Sequence, residues 1–231
     1  LYAVLIKGDS ETTLGFRLGH ILVPFGVTNL QFEPPMYPGV NRPMFEETLF
    51  PKAWSENGVT GFILVGPVQG QLGTLYDDDF GFFARVDTAP AGNGTGFTKP
   101  GLGVSIYRGT VAEISEENVN LAELHGAIRF DRFQFAAILT GGLLTDEERI
   151  GGSTIVLMYD LFRESFENGA QLPIFVSFED EKIREIKNDL WTFGLNFKPD
   201  QQVVIKTDIA IESGRGRDTD TRFEAGMGLA F

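Results

Sequence analysis

The sequence predicts an all-β fold: a transmembrane antiparallel up-and-down β-barrel, apolar outside and polar within. Three observations carry this reading. From Thr221 to Phe231, the residues Phe223, Ala225, Met227, Leu229 and Phe231 alternate with Arg222, Glu224, Gly226 and Gly228. That period of two is a strand with one face in an apolar medium and the other in a polar one. The 231 residues are 42% hydrophobic with a mean hydropathy of -0.02, and no apolar run reaches the ~18 residues that a membrane helix needs. Barrel strands average to neutral hydropathy because lipid-facing and lumen-facing residues alternate, and the 21 Phe and 28 Gly suit aromatic girdles, crowded strand faces and turns. Composition alone equally admits a soluble β-sandwich or barrel; the alternation favours the membrane.

The absence of Cys excludes disulfides and thiolate metal sites and fits a chain that crosses an oxidising periplasm. A net charge of -13 excludes nucleic acid, which needs a basic footprint. Leu1 is not an initiator Met, so a signal peptide has been removed or the chain starts inside a larger protein.

Along the chain, Leu1 to Lys7 reads as a strand, closed by a polar turn from Gly8 to Glu11. Thr12 to Val23 follows, with Leu14, Phe16, Leu18 and Leu22 on the apolar face, Arg17 inward and His20 interrupting the series near its end. Pro24 to Asn57 breaks the rhythm with six prolines; ordered loops of this length are uncommon unless functional. Val59 to Gly66 and Gln69 to Tyr76 form a hairpin, and Asp77 to Asp79 an acidic tip. Phe82, Ala84 and Val86 then oppose Phe83, Arg85 and Asp87. Thr88 to Pro100 is a loop by its Gly, Pro, Asn and Thr content.

Leu102, Val104 and Ile106 open the next strand, and Gly109 to Asn118 is expected to be an acidic connection. Ala122, Leu124, Gly126, Ile128 and Phe130 face outward against Glu123, His125, Ala127 and Arg129. A tight Asp131-Arg132 turn leads to Phe133, Phe135, Ala137 and Leu139 outside. Charged connections are expected at Gly141 to Gly151 and at Glu179 to Asp189, around strands carrying Ile155, Leu157 and Tyr159 and then Ile174, Val176 and Phe178. Pro173 tells against a central paired position there. Trp191, Phe193, Leu195 and Phe197 face out, Lys198-Pro199-Asp200 turns the chain, and Val203, Ile205, Ile209 and Ile211 oppose Lys206, Asp208 and Glu212. The total is about 13 strands, with longer connections expected at one end and mostly shorter ones at the other.

Val23-Pro24-Phe25-Gly26, Glu33-Pro34-Pro35, Asn41-Arg42-Pro43 and Pro51-Lys52-Ala53-Trp54, with Tyr159-Asp160-Leu161-Phe162 and the stretch Trp191 to Ile211, resemble bacterial outer-membrane porins of the phosphate-selective porin O and P group. In that group a strand ends in a Pro-Phe-Gly corner before a long loop. The resemblance covers most of the chain in short motifs. It implies a porin of the Gram-negative outer membrane that passes small hydrophilic solutes or ions by passive diffusion, with no cofactor and no catalysis. It also implies strands before the corner that are missing here, giving about 14 to 16 in the intact protein because single-chain bacterial barrels have an even number. Phe231 would be the signal that the barrel-insertion machinery reads.

The inward-facing charges Arg17, Arg85, Glu123, Arg129, Lys206, Asp208, Glu212, Arg222 and Glu224 are the candidate pore lining, because charge is costly on lipid and tolerated on water. In the loop Pro24 to Asn57, the candidate constriction, Arg42, Glu46, Glu47 and Lys52 would set the field. No nucleophile motif is present, and His20 and His125, alone on their strands, read as polar face residues. An outer-membrane protease or lipase is an alternative only if His and carboxylates converge at the rim. Glu46-Glu47 and Asp77-Asp78-Asp79 lack the spacing of a calcium loop and read as solvated acids, so no metal is expected. Expected partners are membrane lipid and lipopolysaccharide, with a homotrimer and a lipoprotein as candidates. A different class of function stays open: a non-conducting structural barrel that docks a lipoprotein or another envelope partner.

Overall fold

A computed structural model describes residues 2–8, 12–31, 33–51, 53–76, 79–88, 97, 100–111, 115–144, 148–162, 169–214 and 218–230. Lys52, Phe231, Asp77, Asp78 and most of the 88–100 loop lie outside the described residues. The described chain forms thirteen strands in one antiparallel sheet in sequence order. They are β1 (Tyr2–Gly8), β2 (Thr12–Leu22), β3 (Ser55–Val65), β4 (Val68–Tyr76), β5 (Phe80–Asp87), β6 (Gly101–Val111) and β7 (Ser115–Phe130). The series continues with β8 (Phe133–Leu143), β9 (Arg149–Asp160), β10 (Pro173–Ile183), β11 (Ile186–Phe197), β12 (Val203–Gly214) and β13 (Asp220–Leu229). Two short helices, α1 (Val27–Leu30) and α2 (Met44–Leu49), and a 3-10 turn at Pro34–Met36 all lie between β2 and β3.

Alternation sets the two faces, and they are inverted relative to a water-soluble domain. The outer face exposes Leu72, Ile128, Phe130, Phe223 and Met227, each by 64% or more. The series Phe133, Phe135, Leu139 and Trp191, Phe193, Leu195, Phe197 is exposed on that same side. Aromatic pairs stud it: Phe133 with Tyr159 at 4.7 Å and Phe178 with Trp191 at 4.8 Å between ring centroids. So large an apolar surface has no stable place in water. The inner face instead buries Arg85, Glu123, His125, Asn196, Lys206 and Asp208. No described helix is long and apolar enough to cross a membrane. Among the described residues β2 to β12 pair their backbone groups on both sides, as a hydrocarbon layer requires, and β1 and β13 on one side each.

Registers follow the short turns. Phe130 pairs with Phe133 across Asp131-Arg132, and Asp131 takes φ 50, a left-handed conformation that Asp tolerates better than most residues. Pro173 sits where a paired strand admits proline, at its first residue, opposite Asp160.

Three connections expected to be loops are largely strand. Gly109 to Asn118 continues β6 to Val111 and starts β7 at Ser115. Gly141 to Gly151 shrinks to residues 144–148, between Leu143 and Arg149. Glu179 to Asp189 becomes a hairpin in which Ile183 pairs with Ile186 around Arg184-Glu185, with Arg184 at φ 56. The charges that made these segments look like loops alternate like any strand residues. Glu179 and Glu181 are buried inward, while Lys182 lies exposed. The expected contrast in loop length between the two ends thereby reduces to residues 23–54: apart from that segment, the two longest connections, between β5 and β6 and between β9 and β10, fall at the opposite end. β3 begins at Ser55, ahead of the expected Val59.

Candidate functional site: the lumen and the loop inside it

The segment between β2 and β3 leaves and re-enters the wall at one point. Leu22 pairs with Ser55, the Val23 N–H donates to the Trp54 carbonyl at 2.9 Å, and Asn29 Nδ2 donates to the Val23 and Trp54 carbonyls at 2.7 and 2.9 Å. Gly26 turns the chain inward with φ 80, where a side chain would be strained. The Glu46 carboxylate then staples the two halves of the loop. Its Oε1 accepts the Val27 N–H at 2.7 Å and its Oε2 the Thr28 N–H at 2.8 Å, and the Thr28 hydroxyl donates to it as well.

One side of the loop is apolar and seals against the wall. Phe25, Phe45, Leu49, Phe50 and Trp54 pack with Leu75, Phe83, Tyr107, Val119, Leu121 and Ile150 of β4 to β9. Phe50 stacks on Trp54 at 5.2 Å, and Trp54 meets Tyr107 edge-on at 4.9 Å. At Gly152 a Cβ would come within 2.6 Å of the Phe45 ring, so the missing side chain is what lets α2 lie against β9. The other side is polar and held by β10 to β12. Glu179 Oε2 accepts the Met44 N–H at 2.6 Å, and Asp208 Oδ2 accepts the Val40 N–H at 2.7 Å. Lys206 Nζ donates to the Tyr37 and Gly39 carbonyls at 2.7 and 2.6 Å and lies 4.0 Å from the Tyr37 ring centroid.

Between this polar side and β9 to β13 a cavity of about 230 Å³ remains, lined by both loop and strand residues. A sheet of inward-facing polar residues around a folded-in loop is the architecture of known membrane barrels, and the comparisons agree. An anion-selective porin from Comamonas acidovorans superimposes with a TM-score of 0.61 at 12% identity, covering 95% of this chain and 77% of that one. The outer-membrane expressed OmpT of Vibrio cholerae gives 0.63 at 10% identity, covering 99% and 80%. This is the fold of an outer-membrane β-barrel. By sequence, an uncharacterized protein of Aquifex aeolicus (strain VF5) is 47% identical over 45 residues, 20% of this chain and 10% of that one. No family model matches.

The barrel sorts the expected lining charges into three groups. Asp208, Glu212, Arg222 and Glu224 line the cavity, as do Arg42 and Glu47 of the loop. Arg85, Glu123 and Lys206 do not line it and are buried, with exposures of 1 to 3%. Arg85 Nε reaches Asp87 Oδ2 at 2.7 Å and its Nη1 the Gly26 carbonyl at 3.2 Å. His125 lies between two carboxylates, Nε2 at 2.9 Å from Asp87 Oδ1 and Nδ1 at 2.9 Å from Glu123 Oε1. This network braces the wall behind the loop. Arg17 lies over the Phe62 ring at 4.9 Å, and Arg129 donates to Gln134 near the barrel rim. Glu46 is buried in the loop, and Lys52 falls outside the described residues.

Asp87, Glu179 and Glu181 are not among the expected lining charges, although each is in inward phase. For Glu181 the signal was the uninterrupted alternation from Phe175 through Ser177 and Glu179.

Two predictions arise from the anchors. Burial first, and then the Glu123 carboxylate, push the Glu46 carboxyl up from its usual range. In Glu46→Gln one oxygen becomes an NH₂ that faces N–H donors, at a cost of about 1 to 3 kcal/mol. Faster proteolysis of the loop in the folded barrel is the expected readout, and wild-type resistance would show that the staple is dispensable.

The second concerns Lys198, which follows β11 and donates to the Pro35 carbonyl at 2.8 Å. Burial, and then the Arg129 guanidinium, bring its ammonium down to about 8 from 10.5. Between those values the folded chain has shed a proton that the unfolded chain still holds, so stability rises with pH across that window. The expected gain is on the order of 1 to 3 kcal/mol. Urea titrations of wild type and Lys198→Met at pH 7 and pH 10 check it: the variant should lose its advantage at the higher pH.

Proposed function

We propose that this barrel is an outer-membrane porin: a passive diffusion channel for small hydrophilic solutes or ions, with the residue 24–54 loop as its constriction. The observation that carries the reading is the charged cavity between the polar side of the loop and β9 to β13. Filling it with side chains would have closed the barrel, as happens on the β4 to β9 side. A fixed constriction with charges on both walls controls passage by size and field. The fold shared with a porin supports the same reading. No catalytic role enters it: His20 Nε2 lies 2.9 Å from Ser55 Oγ at the barrel end, and His125 is enclosed by the Arg85 network.

The finer kinship with phosphate-selective porins rests on the loop motifs, and two of these have structural explanations here. Gly26 turns the corner, and Arg42 Nε donates to Thr28 Oγ1 at 2.9 Å, bracing the Glu46 staple. A specific observation favours the second reading, a non-conducting barrel that docks a lipoprotein or another envelope partner: the apolar plug of Phe25, Phe45, Leu49, Phe50 and Trp54 fills one side of the lumen. Planar bilayers separate the two. Discrete conductance steps from the folded chain support the porin; folded insertion with no steps supports the scaffold.

A further inference from the structure

We infer that the passage between the loop and β9 to β13 favours small cations over anions, an inference that rests on the porin reading. Six carboxylates line the cavity: Glu47, Glu179, Glu181, Asp208, Glu212 and Glu224. The cationic side chains on the same walls are Arg42 and Arg222. Arg222 is offset by acids at close range, with Nη1 at 2.7 Å from Glu212 Oε2 and 3.2 Å from Asp220 Oδ2, and Nε at 3.5 Å from Glu224 Oε1. Arg42 is 6% exposed and its donors are turned into the loop, toward Thr28 Oγ1 and the Glu46 carbonyl. The field in the gap therefore belongs to the acids.

A second observation is independent of that count. Glu181 and Asp208 are 5% and 3% exposed, and each uses one carboxylate oxygen within the protein. Glu181 Oε1 accepts from Asn188 Nδ2 at 2.8 Å, and Asp208 Oδ2 accepts from the Val40 N–H. Glu181 Oε2 has no hydrogen-bond partner, Asp208 lies against the Glu224 carboxyl across β12 and β13, and all three residues line the cavity. A buried carboxylate oxygen left unpaired is costly; closed to water, it acts on the gap through its field rather than by contact, and that field favours a cation. Oxygen donors of this kind suit hard cations such as K⁺, Na⁺ or Mg²⁺. Among the described residues no three acids converge into a fixed metal site. A cation therefore meets carboxylates in succession and leaves again, as conduction requires.

Opposing charge exists elsewhere in the barrel. Arg129, Arg132 and Lys198 line a smaller recess with Asp160. Each cation uses one donor within the protein, toward Gln134 Oε1 and the Leu161 and Pro35 carbonyls. That recess and the acidic gap have no lining residue in common, and the gap sets the sign.

The test is the reversal potential of single channels of the full chain in a KCl gradient at pH 7. The expected sign is that of a K⁺-preferring pore. Glu181→Gln and Glu47→Gln should each lower the ratio of K⁺ to Cl⁻ permeability by roughly two- to threefold, as loss of one nearby unit charge predicts. Glu47 is exposed on the loop, so that variant reports even if the buried substitution disturbs folding. A conducting pore that prefers Cl⁻, or one whose preference ignores both substitutions, overturns the inference and leaves the porin reading standing. Absence of conductance overturns the porin reading itself.

Discussion

Replacing residues 23–54 by a two-residue Asn-Gly turn is expected to raise single-channel conductance several-fold. The replacement is geometrically simple, because Leu22 and Ser55 are already register partners and Asn-Gly suits the tight hairpin that would join them. What it removes is the plug: Phe25, Phe45, Leu49, Phe50 and Trp54, together with the backbone that Glu179, Lys206 and Asp208 hold across the lumen. The deletion also wets Leu75, Phe83, Val119 and Leu121, which the loop now covers. Each apolar Å² returned to water costs about 25 cal/mol, so a lower urea midpoint should accompany the larger current. Unchanged conductance would place the ion path away from the loop.

The second large effect is expected on the outer face. Phe193 and Ile209 are register partners on β11 and β12, 48% and 45% exposed. In lipid, an Arg near the bilayer midplane costs about 2 to 4 kcal/mol. Phe193→Arg and Ile209→Arg should each lose that much in urea titrations of the barrel in vesicles, whereas Thr192→Arg, one residue along β11 and lining the cavity, should lose less. The reverse ranking would mean that inside and outside have been exchanged.

Much of the wall was legible because period-two alternation is local. Phe193 and Thr192 declare their faces within a few residues, and a one-residue slip would have turned every such pair around. Reading failed where charge imitated a loop. Between Glu179 and Asp189 the acids and lysines other than Glu185 are strand residues, some inward and some near the barrel end, and composition outweighed phase. The interior of the 23–54 segment was less legible still. Its prolines and length marked it as functional, and the Pro-Phe-Gly corner was visible. Glu46, though, meets Val27 and Thr28 from 19 and 18 residues away, and Lys206 meets Tyr37 across 169. No local pattern encodes such pairings. For the same reason the inward charges looked alike in sequence, whereas the structure divides them. Arg85 and Glu123 brace the wall, Lys206 holds the loop, and Asp208, Glu212, Arg222 and Glu224 face the gap.

The most direct test of an ion path along the inner face of β13 uses the absence of native cysteine. Glu224→Cys puts a thiol in the wall of the gap, and Phe223→Cys puts one on the outer face, where the native ring is 74% exposed. A membrane-impermeant, charged thiol reagent is then added during single-channel recording. Glu224→Cys channels should show an irreversible downward step in current, and Phe223→Cys channels should show none. A step from Phe223→Cys alone, or from neither, would contradict a lumen open beside the loop.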